Sequence, residues 1–235
     1  EAEKTANAGR LDLLRWRDGK IASVSLRLKT LGSYSDTTPY DCAKSRAILE
    51  QGCRAIAEDG LNRVSIPNDL NALALLASGD DQYRPLLADY AKRVAEIQQD
   101  GLYSWHYGYA NLFLAEYYLA TQDADVLPGL RRVTLEIANG QSRVGTWGHR
   151  FAGPNGICIG YGCMNQPGLV LTMSMVLAKK AGVEDPELDR AIQRASKFLR
   201  WYVGKGSIPY GDHDPWMEHD DNGKNAMGAV LFDFL

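Results

Sequence analysis

The chain of 235 residues has little of what usually betrays a function. Its four cysteines are too few for a disulfide scaffold at this size, so a hydrophobic core has to hold the fold. Positive charge is not in excess: 26 Lys and Arg stand against 29 Asp and Glu, and a net charge of -3 supplies no footprint for nucleic acid or anionic lipid. No apolar run reaches the roughly 20 residues of a spanning helix. The longest, Gly168 to Ala181, is broken by Thr172 and Ser174 and runs into Lys179-Lys180, which excludes a membrane span. Gly-x-Ser-x-Gly, P-loop and dinucleotide-binding fingerprints are all missing.

The ends carry expectations of their own. Position 1 is Glu, and no charged and then apolar leader follows it, so any targeting peptide is expected to be removed or to lie outside this sequence. A periplasmic or secreted location is the expectation. Gly228 to Leu235 is an amphipathic apolar run without a C-capping glycine or a basic last turn, which reads as a chain cut in or just after a helix.

What is present changes period near residue 37. Leu11, Leu13, Ile21, Val24, Leu26 and Leu28 alternate around Asp18-Gly19, the pattern of a β-hairpin. From Thr38 onward Tyr40, Ala43, Ala47, Ile48, Cys53 and Ile56 fall at helical spacing, with Thr37-Thr38-Pro39 as cap and first turn. Further helices are expected over 68–78, 81–98, 109–120, 126–139, 168–181 and 186–203, with another starting at Asn225. They pair as an apolar helix, a short acidic turn and a charged helix, recurring every 40 residues or so as in helical-hairpin arrays. The apolar member of each pair belongs inside. The returning links, 100–108, 140–168 and 204–225, are long and rich in Gly, aromatics and His, and all should reach one rim.

A strand pair followed by alternating inner and outer helices resembles the α/α toroid of terpenoid cyclases, prenyltransferases, lanthionine cyclases and many polysaccharide lyases and glycosidases. More narrowly, Leu31 to Cys42, Gly211-Asp212-His213-Asp214-Pro215-Trp216 and Asp221-Asn222-Gly223-Lys224-Asn225 resemble an uncharacterised bacterial family in which a PDZ-like domain precedes a toroid. The resemblance implies a mainly α fold, with residues 1–36 a hairpin remnant of the PDZ-like domain and 37–235 the helical array. A complete toroid has about six hairpins, so an incomplete one would close with a missing continuation or as a homo-oligomer. The Asp-x-Asp-Asp motif and the Gln-Trp repeats of terpenoid cyclases are absent.

All four histidines, His106, His149, His213 and His219, fall in the rim links. The densest segment, Gly211 to Lys224, holds Asp212, His213, Asp214, Glu218, His219, Asp220 and Asp221. These supply acid and base groups, or ligands for a divalent metal, zinc or calcium; they equally describe a solvated acidic loop that caps the next helix. In the second link Trp147, Arg150 and Tyr161 lie among glycines, suited to stacking on a sugar and holding an anionic group, or to packing the loop down. Tyr103, Trp105, His106, Tyr107 and Tyr109 read as a binding platform or as a plug for the barrel end. Cys42 and Cys53, about 16 Å apart along a helix, cannot pair and read as buried hydrophobes. Cys158 and Cys163 suit a loop disulfide or, with His149, part of a zinc site.

The leading expectation is therefore a carbohydrate-active toroid of lyase or hydrolase type. His213, His149, Asp214 and Glu218 would be catalytic; Trp105, His106, Tyr107, Trp147, Arg150 and Trp216 would hold a glycan; and His213, His219 and Asp220 would hold the metal. A non-catalytic module binding a protein or peptide, and a zinc-dependent transferase, are the alternatives.

Overall fold

A computed structural model describes residues 8–98, 103–160, 162–215 and 224–235. It is mainly helical with an N-terminal two-stranded antiparallel hairpin. The chain divides into two compact units, Glu1–Asp59 and Gly60–Leu235.

In the first unit β1 (Arg10–Arg17) pairs with β2 (Lys20–Arg27), Trp16 standing opposite Ile21 and Arg17 opposite Lys20. Asp18 and Gly19 both take positive φ, 51° and 74°, as a tight two-residue hairpin turn requires. Helix α1 spans Ala43–Asp59, starting later than its periodicity implies. Asp41 at φ 47° turns the chain out of helical geometry just before it. Cys42 and Cys53 are buried free thiols, and Cys42 Sγ accepts the Ser35 amide.

The second unit holds α2 (Ile66–Ala77), α3 (Arg84–Ala95), α4 (Ser104–Thr121), α5 (Leu127–Asn139), α6 (Asn165–Lys180), α7 (Pro186–Arg200) and α8 (Lys224–Phe234). Successive helices of one layer, α2, α4, α6 and α8, pack side by side; α3, α5 and α7 form the other layer, each against its own hairpin partner. Composition explains the layering. In α6 every residue from Pro167 to Ala178 is buried, because α4, α5, α7 and α8 surround it. In α7 only Leu188, Ala191, Ala195 and Leu199 are buried, a single stripe at helical spacing.

One device opens all three second-layer helices. Asp80, Asp123 and Asp185 each accept the amide two residues on, and Pro85, Pro128 and Pro186 occupy first-turn positions whose amides would lack a helical partner. A 3-10 turn, Asp81–Tyr83 or Ala124–Val126, intervenes before α3 and α5. Between the layers Asn111 of α4 donates to Ser174 of α6 at 3.1 Å and accepts from Thr134 of α5 at 3.0 Å, a fully buried polar tie.

Candidate functional site

The three long links of the second unit are stitched to one another. Ser104 opens α4 by donating its amide to His149 O at 2.8 Å and its hydroxyl to Gly148 O at 2.5 Å. Met164 donates to Trp147 O at 2.8 Å, and Asn165 donates its amide to Tyr210 O and its side-chain amide to Pro209 O and Gly211 O. Trp147 and Gly211 thereby flank Met164 as two antiparallel bridges. Each link thus takes part in at least one backbone hydrogen bond to another link or to the start of a helix.

Between the first and second links lies a cleft of about 610 Å³, within the range of small-molecule sites. It is lined by Ile66, Tyr103, Trp105, His106, His149, Arg150, Ile159 and Gly160. Trp105 and His149 are stacked, Tyr103 meets His149 edge-on with centroids 6.1 Å apart, and the Arg150 guanidinium lies 5.6 Å from the centre of the Tyr103 ring. The four groups follow one another along one side of the cleft as an aromatic ledge with Arg150 at the Tyr103 end, the Tyr103 ring standing at 70° to the imidazole. Burial pushes the His106 imidazole below its ordinary pKa, so it is neutral at pH 7 and able to accept a proton. The second link is closed across Ile159 and Gly160 by the disulfide Cys158–Cys163, which ties the cleft wall to the segment leading into α6.

Of the residues expected to hold a ligand, Trp105, His106 and Arg150 converge here, together with His149 from the expected catalytic set. Two others do not reach the cleft. Trp147 is fully buried and donates its indole N–H to Ile137 O at 2.9 Å, which makes it the anchor of the second link. Tyr107 is fully buried against Phe151, because its place on α4 turns it into the core. Trp105, His106 and Tyr107 belong to the first turns of α4 rather than to a loop: Tyr103 precedes the helix in extended geometry, and the tie from Ser104 to the second link starts the helix earlier than periodicity alone implies.

His213 and Asp214 lie on the third link, outside the lining of this cleft; His213 Nδ1 sits 2.7 Å from Asp214 O, and Asp214 pairs with Lys205 at 3.5 Å. Trp216, Glu218, His219 and Asp220 lie outside the described residues, as does Tyr161. Among the described residues no three His, Cys, Asp or Glu side chains gather as a metal site. The zinc alternative built on Cys158, Cys163 and His149 is overturned by the disulfide, which leaves neither thiolate available as a ligand.

Ile66, at the start of α2, and Ile159-Gly160 complete the lining. Nothing in the local sequence marks Ile66 as a site residue. The glycines around Ile159 were the signal available for the wall, since they permit close backbone approach to a ligand.

Comparison with known proteins finds no match among curated proteins and none among solved structures. Residues 45–235 match a family described as a domain of unknown function, DUF6288, and the chain belongs to that family.

Proposed function

We propose that the cleft binds a carbohydrate and acts on it by lysis or hydrolysis. The observation that carries this reading is the aromatic ledge: sugar rings present flat C–H faces that stack on indole, phenol and imidazole, and Trp105, His149 and Tyr103 offer three such rings in one cleft. The chemistry would fall to His106 and Tyr103. Neutral His106 takes a proton either from a sugar ring carbon, whose electron pair forms a C=C bond as the neighbouring C–O bond breaks, or from a water whose oxygen bonds to the anomeric carbon as the glycosidic C–O bond breaks; the Tyr103 hydroxyl gives its proton to the leaving oxygen.

The same reading takes the two-layered helices as a sector of an α/α toroid and the hairpin as the end of a PDZ-like domain. Support comes from the repeated pairing of helices in two layers and from the backbone ties among the long links. The disulfide favours a periplasmic or secreted location, where such bonds persist.

A glycan array followed by product analysis tests the function. Binding of at least one glycan class, weakened in Trp105→Ala, with turnover lost in His106→Ala and binding retained, is the expected result. If the folded protein binds peptides at this cleft and no glycan, a peptide-interaction module replaces this reading.

A further inference from the structure

We infer that the sugar held by this cleft is acidic, its anionic group received by Arg150; the inference rests on the carbohydrate reading above and specifies its substrate class. Arg150 is exposed and makes no ion pair or hydrogen bond among the described residues. Five other arginines of the second unit are engaged in ion pairs: Arg84 with Asp81, Arg131 with Asp185, Arg132 with Glu136, and Arg190 and Arg194 with Glu187. The Arg150 guanidinium lies 5.6 Å from the centre of the Tyr103 ring, a neighbour that accepts none of its five N–H donors as an ion-pair partner would.

No Asp or Glu is among the described residues lining the cleft, so nothing there repels an anion or competes for the guanidinium. Tyr103 joins the parts, with Arg150 over its ring and His149 at its edge, and Trp105 stacked beyond. A sugar held in this cleft, against Trp105 or His149, has the Arg150 guanidinium in the same lining to meet a ring substituent. A carboxylate accepts two parallel N–H bonds in that geometry, and a sulfate ester offers the same pair of oxygens.

Three oligosaccharides of equal length separate the cases by calorimetric titration of the whole chain: an oligogalacturonate, a sulfated oligosaccharide and neutral maltohexaose. The acidic ones are expected to bind at least roughly tenfold tighter than the neutral one, the value of a charge-assisted hydrogen bond. Which of the two acidic sugars binds tighter identifies the group as carboxylate or sulfate. Arg150→Gln should remove that advantage, and Arg150→Lys should restore part of it. Equal binding of neutral and acidic sugars, or an acidic preference that survives Arg150→Gln, overturns the inference and leaves the carbohydrate reading standing. Binding of none of these sugars, nor of any glycan on the array, by the folded protein overturns both.

Discussion

Trp105 and His149 stack with ring centroids 6.2 Å apart and planes inclined by 26°, although they come from different segments: the first turn of α4 and the long link before α6. The contact depends on Ser104, whose amide and hydroxyl hold the carbonyls of His149 and Gly148. The cleft therefore inherits its geometry from a backbone tie one residue away from its main aromatic side chain.

Trp105→Ala should weaken glycan binding by roughly tenfold, the order of a lost aromatic contact, and leave thermal unfolding within about 1 °C of wild type because the site is a surface cleft. Affinity electrophoresis against the best glycan from an array reads the first quantity and calorimetry the second. A large fall in Tm with unchanged affinity would make Trp105 a packing residue only.

His106 makes a prediction about pH. Burial lowers its pKa, so the neutral form that accepts protons persists to a pH below the free imidazole's ordinary 6.5. Turnover is expected to fall to half its value at pH 8 only at a pH below 6.5. A decline centred at or above 6.5 in the kcat/KM profile would contradict the assignment.

The disulfide Cys158–Cys163 closes a short loop whose residues Ile159 and Gly160 wall the cleft. Removing the bond by Cys158→Ser with Cys163→Ser should cost about 2 kcal/mol, the loop-entropy value for so small a ring. Hydrogen exchange should rise in the second link and stay unchanged in α6, whose residues from Pro167 to Ala178 are all buried. Unchanged exchange across 156–164 would show that the backbone ties alone hold the wall.

Asp69 and Tyr90 lie away from the cleft lining and test the core. Tyr90 donates its hydroxyl to Asp69 Oδ1 at 2.7 Å, Oδ2 has no hydrogen-bond partner, and burial raises the Asp69 pKa from 3.8 to about 7. The native state thus holds a proton that the unfolded chain gives up near pH 4. Stability should fall as pH rises from about 4 to about 7, by at most ~1.4 kcal/mol per unit, and level off above. In Asp69→Asn, which still accepts from Tyr90, urea midpoints should lose this dependence; an unchanged slope would place the titration elsewhere.

Gly129 on α5 faces Ala95 of α3 so closely that an added Cβ would meet the Ala95 side chain and sit 2.6 Å from its carbonyl oxygen. Gly129→Ala should therefore destabilise by about 1–3 kcal/mol, the usual cost of overpacking, despite the better helix propensity of alanine. An increase in Tm would mean that α3 and α5 can slide apart freely.

Much of the fold is legible in local chemistry. Asp18-Gly19 marks the hairpin turn, and the Asp and Pro residues at 80 and 85, 123 and 128, and 185 and 186 announce the second-layer helices. Periodicity is misleading where a distant partner decides. Nothing around Ser104 indicates that α4 begins there, because its amide is satisfied by His149 rather than by a local cap. Trp147 reads equally well as a sugar platform or as an anchor until its indole is found bonded to Ile137 O in the core.

The sequence by itself determined a mainly helical chain with a leading hairpin, the layer to which each helix belongs, and the three links in which aromatics and histidines concentrate. Those follow from periodicity, turn chemistry and composition, which act over a few residues. Only the tertiary structure decided that Trp105, His106, His149 and Arg150 share a cleft while Trp147 and Tyr107 do not. That division rests on backbone bonds between residues some 45 positions apart, such as Ser104 to His149, and on which face each aromatic presents to the core.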